Sequence, residues 1–174
     1  VKEKVADPNK VCIMGGSYGG YATLAGVAFS PDTFTCGVDI VGPSNLNTLL
    51  KTIPPYWSTL LSTFHKRMGD SEEFLRSQSP LFKADQIKRP LLIGQGANDP
   101  RVNKAESEQI VDAIQKNKGS VTYVIYSDEG HGFARPENNL AFYAVAENFL
   151  AAQLGGRAQP IDESTFKGST IQIV

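Results

Sequence analysis

The sequence predicts an α/β fold, a mostly parallel sheet with helices on its faces. Three observations carry that prediction. Short apolar runs bounded by turn residues recur at Val11–Met14, Phe34–Val41, Pro90–Gln95 and Val121–Tyr126. Runs of this kind suit strands buried on both faces. Segments with helical spacing of apolar residues stand between or after them, and the alternation of strand and helix implies right-handed crossovers and parallel pairing.

Each element has its own justification, taken along the chain. Val11–Met14 is wholly apolar and runs into Gly15-Gly16, a strand followed by a turn. Tyr18–Phe29 is rich in Ala and Leu and stops at Ser30-Pro31, because proline disfavours helical geometry in the residue before it. Phe34–Val41 is a second strand closed by Gly42-Pro43. Residues 43 to 89 then break the rhythm. Pro54-Pro55-Tyr56-Trp57 followed by Leu60, Leu61, Phe64 and Met68 predicts a helical excursion over the sheet, and long insertions of this kind shape sites. Tyr56 and Trp57 are read there as core packing. Pro90–Gln95 is the third strand. Asn103 to about Lys118 places Ile110, Ala113 and Ile114 on one stripe with Gly119 beyond, an amphipathic helix with a glycine stop. Val121–Tyr126 is β-branched and aromatic, as strands are. Pro136 opens the last helix, where Phe142, Val145, Ala146 and Phe149 repeat at helical spacing up to Gly155-Gly156. The tail is expected to be irregular, with a short extended piece at Thr170–Val174.

Composition bounds the function classes. A chain of 174 residues can hold one domain with a real core. Apolar residues make up 41% and charged residues 20%, with a formal net charge of −1, so no global field favours nucleic acid or an anionic membrane. The adjacent pairs Lys66-Arg67 and Lys88-Arg89 read as solvated surface. No apolar run reaches membrane-spanning length, and VKEKVADPNK is too charged for a signal peptide. Without an initiator Met, the chain reads as a fragment or a processed product. Cys12 and Cys36 are expected to be buried, inert thiols. Two cysteines are too few for a disulfide scaffold, and no Cys/His cluster has zinc spacing. The redox compartment and the localisation stay open.

Chemistry concentrates in Gly15-Gly16-Ser17-Tyr18-Gly19, a Gly-x-Ser-x-Gly turn between strand and helix. A serine hydroxyl is a poor nucleophile. It needs a base for its proton, a group to orient that base, and donors for the oxyanion. The glycines on both sides are expected to prevent a Cβ from striking strand or helix. The Tyr18 N–H, one residue past the serine at the helix start, is the candidate oxyanion donor. A glycine-rich turn can also cradle phosphate, but this one lacks the Lys-Ser/Thr of a P-loop and the Gly-x-Gly-x-x-Gly of a dinucleotide turn.

Two further residues complete the pattern. Asp99, in GANDPRV, follows the third strand, and His131, in DEGHGF, follows the fourth. Ser17, Asp99 and His131 therefore share the C-terminal edge of the strands, where open α/β sheets place their sites. Their order is that of the α/β-hydrolase triad. Gly130 and Gly132 give the histidine loop freedom to bring its ring over Ser17. Asp128 and Glu129 could bond that ring locally but read as turn formers. His65 reads as a surface or helix-end histidine. Asp39 is odd inside an apolar strand, and a buried carboxylate there must find donors, for which backbone near the serine turn is the candidate.

Together GGSYGGYATL, GQGANDPRV and DEGHGFARPEN resemble the C-terminal catalytic domain of the prolyl oligopeptidase family, most closely its bacterial dipeptidyl aminopeptidase/acylaminoacyl peptidase branch. The resemblance runs from about Asp7 to the end of the last helix. It implies a serine peptidase cleaving short peptides, with Ser17 as nucleophile, His131 as general acid–base and Asp99 as its orienting partner. It implies that Pro43, Leu46, Arg101 and Val102 line the P1 and P2 sites and that Tyr18 walls the P1 pocket. Tyr56 and Trp57 are further candidates there, with core packing the stronger reading for both. Arg101 is read either as a ligand for a substrate carbonyl or carboxylate or as an exposed surface arginine. No metal or organic cofactor is expected. Family members carry a β-propeller and several strands ahead of the nucleophile strand. Against that pattern, residues 1–174 read as a partial α/β-hydrolase domain, the C-terminal half of the sheet with its helical excursion at about 43–89. The second oxyanion donor is then expected from upstream, and the chain alone is expected to be weakly active or silent. Its free nucleophile-strand edge is expected to drive self-association, and a monodisperse monomer in sedimentation would count against that. A carboxylesterase of the same fold and a catalytically silent oligomerising fragment are the alternative readings.

Overall fold

The computed structural model describes residues 1–174. Five strands form one sheet in the order β1 (Cys12–Gly16), β2 (Cys36–Ile40), β3 (Leu91–Gly96), β4 (Val121–Tyr126) and β5 (Ile171–Ile173). The first four are parallel, and β5 closes the far edge antiparallel to β4. The remaining helices are α1 (Tyr18–Phe29), α2 (Leu46–Lys51), α3 (Leu61–Met68), α4 (Glu72–Ser77), α5 (Ala105–Lys116) and α6 (Pro136–Leu154), with 3-10 turns at Pro55–Leu60 and Pro80–Gln86.

The period-2 alternation of strands distributes the core over both faces. Leu91 and Ile93 join Leu24, Val27, Ile110 and Ile114 beneath α1 and α5. Leu92 points the other way and joins Val38, Val124, Phe142 and Val145 beneath α6. Each such side chain, fully buried, contributes roughly 1.5–3 kcal/mol by removal from water. The segment between β2 and β3 is the predicted helical excursion. Its short helices are capped locally, α2 by Asn45 accepting from the Asn47 N–H and α4 by Ser71 accepting from the Phe74 N–H. The Tyr21 hydroxyl of α1 ties the excursion down by donating to the Gln78 carbonyl at 2.9 Å.

The cysteines depart from the expectation of free thiols. Parallel pairing sets Cys12 opposite Cys36 with their Cα atoms 4.6 Å apart, and the two are joined as a disulfide. That separation lies within the range a disulfide spans. The sequence spacing of 24 residues gives no hint of the pairing, because the strand register creates it. β1 is an edge of the sheet, and Met14 on it is 43% exposed.

Candidate active site

Ser17 sits between β1 and α1 with φ 57° and ψ −119°. A non-glycine residue in that region is strained by about 1–3 kcal/mol, which the surroundings must impose. The constraint is a backbone bond from the Ser17 N–H to the Ile40 carbonyl, 2.8 Å, together with the close packing of the turn. A Cβ on Gly15 would lie 2.3 Å from the Gly19 carbonyl oxygen. The expectation for the second glycine is corrected: a Cβ on Gly19 would meet open space, and the tight position is Gly20, where it would lie 2.6 Å from Gly42 Cα. At the first position of α1, the Tyr18 N–H has no carbonyl partner within its helix and is free to meet an anion.

The three sheet-edge residues converge. His131 Nε2 lies 2.8 Å from Ser17 Oγ, and His131 Nδ1 lies 2.8 Å from Asp99 Oδ2. The Asp99 side chain is fully buried and that of His131 is 13% exposed. Asp99 Oδ1 is occupied separately, accepting from the Arg101 and Val102 N–H groups at 2.8 and 2.9 Å. The carboxylate therefore has one oxygen pinned to its own loop and the other aimed at the ring. A carboxylate can only accept, so Nδ1 carries the proton and Nε2 is left as the acceptor for the serine O–H. This arrangement can deprotonate a hydroxyl and hold the resulting imidazolium beside a negative charge.

Glu129 has a role that sequence reasoning missed. It neither bonds the His131 ring nor forms a surface turn. It is 3% exposed. Its carboxylate accepts from the Ala134 and Arg135 N–H groups at 2.9 Å and from Asn138 Nδ2 at 2.8 Å. Those bonds staple the segment on both sides of His131 to the start of α6. Asp128 stays at the surface, where hydrogen bonds from Thr170 and Arg135 hold its carboxyl at about 2. Nothing in the spacing of an acidic pair before a histidine separates a staple from a turn.

A cavity of about 260 Å³ opens beside Ser17. Tyr18, Pro43, Arg101 and Val102 line it, joined by Leu49, Ile53, Trp57, Phe64, Arg67 and Met68 from the excursion. Leu46 does not reach it: it is 2% exposed, and α2 presents Leu49 instead. The core reading of Tyr56 and Trp57 is corrected as well. Tyr56 is 60% exposed. Trp57 walls the cavity, with the Arg101 guanidinium 5.4 Å from its ring centroid. His65 is half-buried on α3, and its Nδ1 has no partner.

Asp39 is fully buried in β2 beneath the turn, and neither carboxylate oxygen has a hydrogen-bond partner. Burial pushes its carboxyl up to about 7, offset in part by the nearby Gly42 N–H, which does not close a well-formed bond. In the unfolded chain the same group ionises near 3.8. Between those values the folded state holds the extra proton, so stability falls as pH rises through that window and levels off above it. The total loss is on the order of 4 kcal/mol. Asp39→Asn cannot ionise. Its urea-unfolding free energy relative to wild type is expected to rise by that order from about pH 4 to about pH 8. A difference that does not change with pH would show that Asp39 holds no such proton.

Residues 1–157 match the family described as "Prolyl oligopeptidase family". The chain is 62% identical over 178 residues to dipeptidyl aminopeptidase BIII of Pseudoxanthomonas mexicana, covering 99% of this chain and 26% of that protein. It is 46% identical to dipeptidyl peptidase family member 6 of Caenorhabditis elegans, covering 98% and 24%. Among solved structures, a Mycobacterium tuberculosis puromycin-hydrolyzing peptidase superimposes with a TM-score of 0.85 at 28% identity, over 92% of this chain and 24% of that one. The chain thus spans about a quarter of the length of the curated relatives it matches.

Proposed function

The chain belongs to the prolyl oligopeptidase family, and from that premise we propose that it supplies the nucleophile, base and orienting carboxylate of a serine peptidase acting on short peptides. The observation that carries the reading is the continuous hydrogen-bonded run from Ser17 through His131 to Asp99. Ser17 Oγ attacks the scissile carbonyl carbon while His131 Nε2 takes its proton. The carbonyl oxygen becomes an oxyanion against the Tyr18 N–H. The tetrahedral species collapses, the C–N bond breaks, and the amine leaves with the proton from His131. Water then repeats the sequence on the acyl-enzyme and frees Ser17.

The cavity takes the side chain before the scissile bond. Leu49, Ile53, Trp57, Phe64 and Met68 make it suited to an apolar residue, and Arg101 stands at its rim as a donor for a substrate carbonyl. The names of the relatives in this family, a dipeptidyl aminopeptidase and a dipeptidyl peptidase, support removal of dipeptides from a free amino end.

The test uses the full-length protein. A fluorophosphonate probe is expected to label it covalently, and Ser17→Ala is expected to abolish the labelling. Dipeptidyl anilides are expected to be turned over with a higher kcat/KM than p-nitrophenyl esters. Esters strongly preferred over anilides would make the chain part of a carboxylesterase, and absence of labelling would make it catalytically silent.

A further inference from the structure

Glu106 lies in the first turn of α5, away from the cavity and from the run of bonds at Ser17, and is 3% exposed. A buried carboxylate is costly unless it is fully hydrogen-bonded, and this one is. Its Oε2 accepts from the Ser44 N–H at 3.0 Å, the Asn45 N–H at 2.9 Å and Gln109 Nε2 at 2.9 Å. Its Oε1 accepts from the Thr48 hydroxyl. Its backbone carbonyl takes the Ser44 hydroxyl at 2.6 Å. Burial pushes the Glu106 carboxyl up, and the bonds from Thr48, Asn45 and Ser44 oppose that shift.

The gripped segment, Ser44–Thr48, is flanked by Pro43 and Leu49, which both line the cavity. At six residues, α2 is too short to hold itself by helix formation alone. The residues just before α5 are those that carry Asp99, Arg101 and Val102. One side chain therefore joins two segments that both contribute to the cavity lining.

Building on the peptidase reading of Ser17, we propose that Glu106 is a positioning residue for substrate recognition: it sets Pro43 and Leu49 against the Arg101–Val102 wall, and so governs the affinity for the P1 side chain without taking part in bond making. Glu106→Gln preserves the grip. The amide oxygen can occupy the Oε2 position and accept from the Ser44 and Asn45 N–H groups, Gln109 keeps its bond to the Ser44 hydroxyl, and the Thr48 hydroxyl accepts from the amide NH₂. Glu106→Ala leaves the Ser44 and Asn45 N–H groups without their acceptor.

The experiment measures three quantities on the full-length protein: KM and kcat for a dipeptidyl anilide with a bulky apolar P1 residue, and the rate of Ser17 labelling by a small fluorophosphonate. Glu106→Ala is expected to raise KM about tenfold, with kcat and labelling within about twofold of wild type, and Glu106→Gln is expected to stay within about threefold in KM. Thr48→Val, which removes the hydroxyl shared between Glu106 and the Asn45 carbonyl, is expected to raise KM about threefold and decides the matter where Glu106→Ala does not fold. The proposal is overturned if KM is unchanged in Glu106→Ala or, where that variant does not fold, in Thr48→Val. It is equally overturned if kcat and labelling fall with KM unmoved, or if Glu106→Gln is as impaired as Glu106→Ala. Failure of wild type to label with the probe would instead remove the peptidase reading itself.

Discussion

Asp99→Asn is expected to lower kcat/KM for peptide anilides by roughly 10⁴ with the fold intact. The reason lies in how the two carboxylate oxygens are divided. Oδ1 accepts from the Arg101 and Val102 N–H groups, and Oδ2 faces His131 Nδ1. An asparagine keeps its amide oxygen toward the two backbone donors, because the opposite orientation would point its NH₂ at them and strand both, at about 1–3 kcal/mol each. The NH₂ then faces Nδ1, which must become an acceptor. The ring proton moves to Nε2, directly opposite Ser17 Oγ, so the base arrives already protonated and cannot take the serine proton. The loss also withdraws the negative charge beside the imidazolium that forms during attack. Kinetics on the purified variant check this, with circular dichroism to confirm folding. A loss smaller than tenfold would mean that Asp99 does not hold the tautomer.

Gly15→Ala is expected to be strongly destabilising. The added methyl would lie 2.3 Å from the Gly19 carbonyl oxygen, 2.5 Å from its carbon and 3.0 Å from its Cα. All three are backbone atoms of the first turn of α1, so no side chain can swing aside. Relief requires β1 and α1 to separate, but the turn between them is pinned to β2 by the bond from the Ser17 N–H to the Ile40 carbonyl, and α1 is held on the sheet by the packing of Leu24 and Val27. The cost is about 3 kcal/mol or more, in the upper range for overpacking. Ser17 Oγ would also move relative to Nε2, so labelling by fluorophosphonate should fall with stability. Gly19→Ala makes the control, since a methyl there meets open space. A urea midpoint for Gly15→Ala equal to that of Gly19→Ala would remove the steric account of the turn.

The legible and illegible parts of this molecule divide along physical lines. The strands at Val11, Phe34, Pro90 and Val121 were readable within a residue or two, because each is a short, mainly apolar run bounded by turn residues. Helix ends at Ser30-Pro31 and Gly155 were readable because proline and glycine act locally. Ser17, Asp99 and His131 were readable because each follows a strand and parallel strands all end at one edge. What escaped has the opposite character. Leu46 and Leu49 are both leucines of one short helix, and only packing decides that Leu49 faces the cavity while Leu46 is buried. Trp57 is apolar enough for a core or for a pocket wall, and only the way the excursion folds back decides for the wall. Glu106 and Glu129 look like ordinary surface acids on a helix and a loop, yet each is 3% exposed.

By itself, the sequence determined the order of strands and helices, the edge where the reactive groups gather and the identity of the three that meet there, since these depend on side-chain period, turn chemistry and chain direction, which are properties of neighbouring residues. Tertiary structure alone decided the Cys12–Cys36 bond, the lining of the cavity and the burial of Glu106. Those depend on contacts between residues 24 to 62 positions apart or on which face of an element is covered, and such distances close only when the sheet has set its register.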